Sequence, residues 1–432
     1  MRLGLILDRW ECRFLRASEA WLLVYGRRKT GKTWLLRNCI DWSLYATITW
    51  SGDCILEERG RKARVVGLSD CMNKIVESLK RSDRTVVLDE FQRLPVKYWD
   101  LLALAGHEAE SRLIACGSSL GIVRRVFERR SPLLGVFEAF HVGLVDVADA
   151  IKSLYHWGLG GREAVLWSVV VRDPWILMHV KPEGSPWEVL VEYLPRLALA
   201  SRGLIGEVFV EEERHLTRVY ESTLQLLAKG YWRANDIAVK LYEAGLTSSP
   251  QPGIATGILM ALEGMGLVER VPLWKTRGSK VYYRHRSPLV SLLYWTLGLI
   301  EEPDARVNPE ALKSRYGIEL QFTLGELLAK YHGLKRAYSI RLEGRDIDVV
   351  LLDKRGMAVW GYEVKMSGID TAKAQSIAEW MRSQGVLKTG IITLQRPAKP
   401  PRGVDETLDP ELIVERAIKL SAKQTTMEPN ET

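Results

Sequence analysis

Short apolar runs alternate with amphipathic stretches along the first third of the chain. The apolar runs predict buried strands at residues 21–25, 65–67, 85–88 and 112–116. Between them, apolar residues recur at three- and four-residue spacing, as in residues 32–39 and 70–80, and this period predicts helices. Alternating strands and helices are typical of an α/β fold whose mostly parallel sheet is covered by helices on both faces. We therefore predict such a domain in residues 1–145.

After residue 145 the pattern becomes helical. The spacing in residues 146–205 predicts a helical lid, and residues 206–300 are predicted to hold three helices and a hairpin. The helices are expected at residues 214–230, 233–244 and 253–266, and the hairpin at residues 267–285. Three helices followed by a two-stranded hairpin are typical of a winged-helix domain.

The last part of the chain mixes helical and strand patterns. A polar linker at residues 301–309 is followed by a predicted helix, two strands and another helix, at residues 310–331, 346–352, 358–365 and 370–384. These elements predict a small α/β domain at residues 301–396. Residues 397–432 are rich in proline and then in polar residues, so we expect a tail that is partly disordered.

Composition narrows the class of protein. The 61 basic and 53 acidic residues give a net charge of +8, which suits a polyanionic partner such as DNA and equally suits solvated basic faces. The five cysteines form no C-x-x-C pair, so we expect neither a disulfide framework nor a zinc site. This cysteine usage favours a reducing cytoplasm. Because no apolar stretch reaches the length of a membrane span, we predict a cytoplasmic protein without a membrane partner.

Residues 26–33 match the phosphate-loop pattern G-x-x-x-x-G-K-[ST] in full. The predicted nucleotide-binding residues are Gly26, Arg27, Arg28, Lys29, Thr30, Gly31, Lys32 and Thr33. In such a loop, backbone N–H groups and the N-terminus of the following helix surround phosphate oxygens. Lys32 is expected to reach the β- and γ-phosphates of ATP, and the Thr33 hydroxyl is expected to bind Mg²⁺.

Two later strand ends carry matching chemistry. The strand at residues 85–88 ends in Asp89, expected to hold Mg²⁺ through water, and Glu90, expected to orient or activate the attacking water. The strand at residues 112–116 leads to Ser118 and Ser119. One of these serines could sense the γ-phosphate of the nucleotide, or both could belong to a helix-capping turn.

Carboxylates near the C-terminus suggest a second site. Asp348 and Glu363 lie on adjacent predicted strands and could converge on one Mg²⁺ or Mn²⁺, since hard cations prefer oxygen ligands. Lys365 faces the same side as Glu363 and could position or deprotonate a water that attacks a phosphodiester. A helical glutamate, Glu326 in preference to Glu319, is expected to complete the ligand set. The alternative is a surface hairpin with weak cross-strand ion pairs.

The order of these motifs resembles that of the archaeal P-loop ATPase family, an AAA+/STAND-like group. The resemblance covers most of the chain. It is carried by Asp8-Arg9 with Glu11, Gly26-Arg27-Arg28, the run Leu88-Asp89-Glu90-Phe91-Gln92-Arg93-Leu94, Cys116-Gly117-Ser118-Ser119, Ser131-Pro132-Leu133, Val219-Tyr220 and Ser287-Pro288-Leu289. It implies a P-loop ATPase core, a helical lid, a winged helix and a C-terminal domain similar to the PD-(D/E)xK nucleases.

One departure from the family concerns the arginine that relatives carry after Ser-Pro-Leu-x-Gly, where this chain has Val136. If that arginine senses nucleotide in relatives, its role here is vacant or has moved to one of four others, Arg124, Arg125, Arg129 or Arg130. Hydrolysis is then expected to be slow, because an arginine finger can be worth about three to five orders of magnitude in rate. The chain could still form an oligomer, but the loss of this arginine weakens the prediction of a catalytically active ring.

The expected function is ATP binding and hydrolysis coupled to nucleic-acid binding or cleavage by the C-terminal domain. Lys275, Arg277 and Lys280 at the predicted hairpin tip could contact DNA phosphates, or the hairpin could pack against the rest of the chain. One alternative is a nucleotide-dependent switch that uses an inactive nuclease-like domain for binding. The other is a nuclease whose nucleotide domain is mainly structural.

Overall fold

The computed structural model describes residues 5–82, 84–118, 120–211, 217–276, 278, 280–300, 307–340, 344–396 and 401–424. The chain forms two compact units. The N-terminal unit consists of Arg9–Leu144 and Gly203–Leu216, and the C-terminal unit of Met1–Asp8, Val145–Arg202 and Thr217–Thr432. Each unit has its own apolar core.

The N-terminal unit is built on a seven-stranded sheet. Its strands are β1 (Leu22–Tyr25), β2 (Leu44–Ile48), β3 (Cys54–Glu58), β4 (Arg64–Val66), β5 (Thr85–Asp89), β6 (Arg112–Gly117) and β7 (Glu138–His141). Its helices are α1 (Glu11–Ala17), α2 (Lys32–Cys39), α3 (Leu68–Leu79), α4 (Trp99–Glu108) and α5 (Leu120–Phe127). The strand order is β4-β3-β2-β5-β6-β1-β7, and only the pairings of β3 are antiparallel. The predicted α/β domain with a mostly parallel sheet is confirmed.

Strand β1 shows why these apolar runs become strands. Leu23 joins an apolar cluster that includes residues of α3 and α4, whereas Leu22 and Val24 join a cluster that includes residues of α1 and α2. Successive side chains of a strand point to opposite faces, so a strand covered on both faces must be apolar throughout.

Strand β4 differs from its prediction as a buried strand. It lies at the edge of the sheet, and Val65 is 70% exposed. The neighbouring strands β2 and β3 were not predicted. Their apolar residues are interspersed with polar ones, such as Thr47, Glu57 and Glu58, so neither gives a continuous apolar run.

The cysteines also differ from the prediction. Disulfide bonds join Cys12 to Cys39 and Cys54 to Cys71, while Cys116 is a buried free cysteine. The expectation of no disulfide framework is therefore wrong. The partners lie 27 and 17 residues apart in sequence, so spacing gave no sign that folding brings them together.

The C-terminal unit contains most of the helices and a second seven-stranded sheet. The helices from α6 onward are α6 (Val147–His156), α7 (Gly161–Val171), α8 (Pro186–Glu211), α9 (Arg218–Ala228), α10 (Ala234–Glu243), α11 (Pro252–Gly264), α12 (Pro288–Ile300), α13 (Pro309–His332), α14 (Thr371–Ser383) and α15 (Pro410–Gln424). The strands are β8 (Val268–Trp274), β9 (Val281–His285), β10 (Lys335–Ser339), β11 (Val349–Leu352), β12 (Ala358–Lys365), β13 (Lys388–Thr393) and β14 (Glu406–Leu408). The last residues of α8 belong to the N-terminal unit.

The expected tail is largely folded. Strand β14 pairs with β13, and α15 buries Val414, Ala417 and Leu420 at helical spacing. The Asp409 carboxylate accepts a hydrogen bond from the Leu412 backbone N–H at 2.9 Å at the start of this helix. The prediction of a tail is therefore wrong for residues 401–424, whereas residues 397–400 and 425–432 lie outside the described residues.

The predicted three helices and hairpin correspond to α9, α10, α11 and the pair β8–β9. Strand β8 also pairs in parallel with β10, so one sheet runs from β9 to β14 in the order β14-β13-β12-β11-β10-β8-β9. The boundaries predicted at residues 205, 300 and 396 stay a prediction. Within the described part of the chain, no helix combines the length and the apolar character needed to cross a membrane.

Candidate functional site

The phosphate loop connects β1 to α2, and its shape depends on glycine. Gly31 has φ 93°, a value that favours glycine. A Cβ on Gly26 would lie 2.1 Å from the backbone oxygen of Val142, so only glycine fits this close approach. Lys32 is the first residue of α2, and its Nζ donates to the backbone oxygens of Gly26 (2.7 Å) and Arg27 (3.0 Å). The ammonium group therefore lies against the loop that it is expected to serve.

The remaining loop residues differ in exposure. Thr30 is buried and its hydroxyl donates to the Arg27 backbone oxygen at 2.9 Å. Arg27 is half-buried, and Lys29 is exposed with φ 68°. Arg28 forms an ion pair with Glu207, with Nε 2.7 Å from Oε2. No sequence pattern links Glu207 to the loop.

Thr33 and Asp89 meet at the end of β5. The Thr33 hydroxyl donates to Asp89 Oδ2 at 2.9 Å, and the Tyr45 hydroxyl donates to the same oxygen at 2.7 Å. The Glu90 backbone N–H donates to Asp89 Oδ1 at 2.9 Å. Burial, with the negative charge of Asp89, raises the pKa of Tyr45 far above its usual range, so Tyr45 stays a donor. Its role was not predicted, because a tyrosine in an apolar strand gives no signal of its own.

Glu90 has two further partners. Gln92 Nε2 donates to Glu90 Oε2 at 2.7 Å and to the Ser118 hydroxyl at 3.0 Å, so it bridges the ends of β5 and β6. Arg93 pairs with Glu90 Oε2 at 3.0 Å. Glu90 has φ 60°, a backbone conformation that is rare for a residue with a side chain. Ser119 lies outside the described residues.

The three motif-bearing strands are neighbours. Strand β6 lies between β1 and β5 and pairs in parallel with both. Their carboxyl ends therefore share one edge of the sheet, where open α/β sheets bind ligands. The structure thus brings together the phosphate loop, Asp89, Glu90 and Ser118.

The arginines proposed to replace the missing family arginine lie in and after α5. The guanidinium of Arg125 lies over the Trp99 ring at 5.4 Å, and Arg124, Arg129 and Arg130 are exposed. The arginine that contacts Glu90 is instead Arg93, which the sequence did not single out.

In the C-terminal unit, Asp348 lies just before β11, and Glu363 and Lys365 lie on β12. Asp348 accepts hydrogen bonds from Gln321 Nε2 and from the Val364 backbone N–H, each at 2.8 Å. Lys365 Nζ lies 2.5 Å from Glu363 Oε1. Burial and then the neighbouring Glu363 raise the pKa of Asp348 to about 7. The structure therefore brings these three predicted residues together, with Gln321 as an unpredicted fourth.

Glu326 does not join this cluster. Its Oε1 pairs with Arg172 at 2.8 Å and with Lys330 at 3.1 Å. Although burial alone raises the pKa of Glu326, Arg172 and Lys330 hold it well below its usual range. Glu319, the second choice, pairs with Arg284 and Arg315.

Within the described ranges, no three His, Cys, Asp or Glu side chains are grouped so that they could hold a metal ion. The expected ligand set of Glu326, Asp348 and Glu363 is therefore not assembled. The physical reason is that the buried Arg172 guanidinium needs a carboxylate partner, which the spacing of glutamates along α13 does not reveal.

The basic hairpin residues are only partly described. Lys275 Nζ lies 3.5 Å from Gln384 Oε1 and 5.2 Å from the centre of the Trp274 ring. Trp274 belongs to an apolar cluster that includes Val350 of β11 and Met381 of α14. Lys280 is exposed, whereas Arg277 lies outside the described residues. The start of the hairpin tip thus packs within the C-terminal unit.

Comparisons with known proteins give similar solved structures and one family match. A search of curated proteins gives no match. Similar solved structures include the ORC2 protein of Aeropyrum pernix in ADPNP–ADP complexes, at 13% identity and TM-score 0.37, covering 71% of this chain and 89% of that chain. The Aeropyrum pernix ORC1 protein in complex with DNA has 14% identity and TM-score 0.29, covering 65% and 88%. The Thermotoga maritima RuvB Holliday junction branch migration motor has 16% identity and TM-score 0.28, covering 61% and 86%.

At these TM-scores the resemblance defines no shared overall fold. The family comparison is more specific, because a sequence model described as an AAA domain matches residues 18–143. These residues run from just before β1 to just after β7 and so include the phosphate loop, Asp89, Glu90 and Ser118. Residues 18–143 of this chain are therefore similar in sequence to the AAA domain.

Proposed function

We propose that this protein binds and hydrolyses ATP with Mg²⁺ at the carboxyl edge of the N-terminal sheet. The observation that carries the proposal is the hydrogen bond from the hydroxyl of Thr33, the last residue of a complete phosphate loop, to Asp89 Oδ2 at 2.9 Å. A hydroxyl and a carboxylate at this distance supply the oxygen ligands that Mg²⁺ prefers. The AAA match over residues 18–143 supports the same reaction.

Each group has a role in this proposal. The loop N–H groups and Lys32 bind the β- and γ-phosphates, and Thr33 and Asp89 would hold Mg²⁺. Mg²⁺, when bound, neutralises charge on the phosphates. Glu90 accepts the proton of the attacking water, and Gln92 and Arg93 orient its carboxylate. Ser118, bonded to Gln92, senses the γ-phosphate.

The test is binding of Mg-ATP to the full chain by calorimetry, followed by phosphate release under saturating ATP. Lys32→Ala should abolish both. Lys74→Ala is the matched control, since Lys74 lies on α3 in the same unit and pairs with Glu77 at 3.6 Å. Wild type that binds no ATP would refute the proposal. Binding without turnover would favour a nucleotide-dependent switch over an ATPase.

The C-terminal cluster supports a second candidate function, metal-dependent cleavage of a phosphodiester in nucleic acid by a PD-(D/E)xK-like domain. Asp348 and Glu363 would hold Mg²⁺ or Mn²⁺, because Mg²⁺ is commonly bound by one or two carboxylates together with substrate phosphates. The raised pKa of Asp348 fits this use, since a cation would relieve its repulsion from Glu363. Lys365 would position the attacking water.

Nucleic-acid binding is proposed for the same unit, through Lys280 of the hairpin and through the Asp348 cluster. The three helices and hairpin support a winged-helix domain, and the pairing of β8 with β10 supports one that is coupled to the nuclease-like sheet. ATP binding or turnover would then regulate this unit. We further propose a cytoplasmic location of the kind found in hyperthermophiles, whose intracellular proteins carry disulfide bonds such as the two in this chain.

Cleavage is tested on plasmid and short duplexes with Mg²⁺ or Mn²⁺, with and without ATP. Asp348→Ala should abolish cutting, and Asp353→Ala is the matched control in the turn after β11. Cutting that survives in Asp348→Ala would assign the activity elsewhere. If wild type cuts nothing, the unit is left with a binding role.

A further inference from the structure

A buried ion pair lies beside the phosphate loop and takes no part in the chemistry proposed above. Arg9 and Glu11 lie just before and at the start of α1, and their side chains are 3% and 2% exposed. Arg9 Nη2 donates to Glu11 Oε1 at 2.6 Å, and Arg9 Nε donates to Glu11 Oε2 at 3.1 Å. The pair is therefore bidentate and almost fully withdrawn from water.

Stability alone does not account for this pair. Removing two charges from water is costly, and apolar residues of similar volume often stabilise a fold equally well. The remaining guanidinium donors give a better explanation. Arg9 Nη1 donates to the backbone oxygen of Thr30 at 2.8 Å, and Nη2 lies 3.3 Å from the backbone oxygen of Gly143.

The contact with Thr30 reaches the centre of the phosphate loop. A trans peptide is planar, so its C=O and N–H groups point in opposite directions. Arg9 holds the Thr30 oxygen, which turns the N–H of the same peptide, that of Gly31, away from Arg9. Amides of this part of a phosphate loop bind phosphate oxygens.

The contact with Gly143 fixes the other side of the loop. Gly143 follows Val142, whose backbone oxygen receives the Thr30 hydroxyl at 3.4 Å and lies against Gly26. Val142 is itself held by a hydrogen bond from its N–H to the Tyr25 oxygen at 2.7 Å. One guanidinium thus ties the loop to the segment that packs beneath it.

We propose that Arg9, held by Glu11, is a positioning residue that presets the Thr30–Gly31 peptide of the phosphate loop for the phosphates of the nucleotide. This inference rests on the proposed ATP binding. Preorganisation of this kind reduces the free energy that binding must spend on ordering the loop. A planar fork is needed to reach Glu11, Thr30 and Gly143 together, and lysine cannot replace it.

The test compares stability with nucleotide affinity in the full chain. The variants are Arg9→Lys and the double change Arg9→Met with Glu11→Leu, which removes both charges while keeping volume. The control is Arg416→Met, since Arg416 forms a bidentate pair with Glu406 in the C-terminal unit. Thermal unfolding gives Tm, and calorimetry with Mg-ATP well below every Tm gives Kd.

We expect the double variant to melt within a few degrees of wild type while its Kd for Mg-ATP rises about ten- to a hundredfold, as the loss of hydrogen bonds to a charged group predicts. KM should rise with kcat nearly unchanged, because ground state and transition state lose the same contact. Arg9→Lys should raise Kd about tenfold, and Arg416→Met should leave Kd unchanged.

A folded double variant with the Kd of wild type would overturn the inference. If the double variant does not fold, Arg9→Lys decides in the same way. Wild type that binds no ATP would instead refute the proposed function, and the two failures are therefore distinguishable.

Discussion

The phosphate-loop site and the Asp348 cluster both place acidic side chains at strand ends but satisfy them differently. Asp89 accepts from Thr33, Tyr45 and the Glu90 N–H. Asp348 accepts from Gln321 and Val364 but also faces Glu363, so its pKa rises to about 7. The first site is arranged by its own donors, whereas the second is left with repulsion that a cation would relieve.

The difference teaches how to assign roles to similar carboxylates. A carboxylate surrounded by fixed donors is already positioned before any ligand arrives, which suits a reaction that depends on geometry. When two buried carboxylates face each other, the charge on each depends on the pH and on whether a metal ion is bound. The following predictions break or sharpen this contrast.

The largest effect is expected for Glu90→Gln. The variant keeps the size of the side chain and its ability to form hydrogen bonds but removes the proposed base. The rate of phosphate release should therefore fall about 10²- to 10⁴-fold. Binding of Mg-ATP should change little, because the phosphate loop and Asp89 are intact. The measurement is steady-state phosphate release together with the Kd for Mg-ATP. Asp348→Asn should leave both unchanged, and a similar loss of turnover in that variant would end the separation of the two sites.

The two units should also differ in their response to reductant. All five cysteines precede residue 117, so only the N-terminal unit can be stapled by disulfides. Loops of 27 and 17 residues predict about 3–4 kcal/mol of stabilisation each in the chain-entropy description. Thermal unfolding is measured with and without dithiothreitol. The reductant should lower the transition temperature of the N-terminal unit and leave that of the C-terminal unit unchanged.

Variants assign that effect to its source. Cys12→Ser with Cys39→Ser should reproduce part of the shift without reductant, and Cys116→Ser, at a buried free cysteine, should not make the protein insensitive to dithiothreitol. Identical melting of wild type in both conditions would mean that these cysteines are not paired in solution.

Sequence reasoning reached the phosphate-loop site more fully than the Asp348 cluster, for a physical reason. The phosphate loop, Asp89 and Ser118 each follow an apolar strand. The apolar run and the motif at its end can both be read from a short stretch of sequence. The partners that hold them are harder to predict. Tyr45 and Glu207 contact the site through tertiary packing. Gln92 and Arg93 follow Glu90 closely in sequence, but the sequence does not show that their side chains turn back onto its carboxylate.

The C-terminal unit shows the same limit more strongly. Asp348, Glu363 and Lys365 could be predicted because they lie on adjacent strands, where register decides which residues meet. Glu326 could not be excluded, since its partner Arg172 lies 154 positions away. Likewise, α15 folds against α6 and α7, and these contacts could not be predicted from the polar sequence of the C-terminal segment.

The third prediction concerns the pH dependence of Asp348 without metal. Its pKa in the folded chain, about 7, lies above the usual value of 3.8, so the folded state binds the proton more tightly than the unfolded state does. Its contribution to stability is therefore present below about pH 4 and is lost as pH rises through about 7. In EDTA, the Tm of Asp348→Asn relative to that of wild type should increase as the pH is raised from 5 to 8.5. The gain should be a few degrees at most, because the variant loses one hydrogen bond and 1 kcal/mol corresponds to about 2–4 °C.

Asp405→Asn is the matched control, because the opposite sign is expected there. Hydrogen bonds from Thr389 and Arg382 outweigh the effect of burial and lower the pKa of Asp405. Asp405→Asn should therefore lose stability at neutral pH. Adding Mn²⁺ at pH 8 should raise the Tm of wild type and not that of Asp348→Asn. If Mn²⁺ does not change the Tm of wild type, the proposed metal site at Asp348 is contradicted.

The smallest effect is expected for Tyr45→Phe, which removes one of the donors that hold Asp89. Thr33 and the Glu90 N–H remain, so the carboxylate should keep its place. The Kd for Mg-ATP should rise only a few-fold, in line with the roughly 1 kcal/mol of one neutral hydrogen bond. Calorimetry at several Mg²⁺ concentrations separates an effect on the cation from an effect on the nucleotide.

Tyr316→Phe is the control that makes this small change interpretable. The Tyr316 hydroxyl is also a buried donor, to the Leu166 backbone oxygen at 2.7 Å, but it lies in the C-terminal unit. Both variants should lose a similar amount of stability, and only Tyr45→Phe should weaken Mg-ATP. A loss of more than about tenfold in Tyr45→Phe would exceed one hydrogen bond. It would mean that Asp89 depends on a single donor, as Asp348 is proposed to depend on a cation, and the contrast between the two sites would then be one of degree.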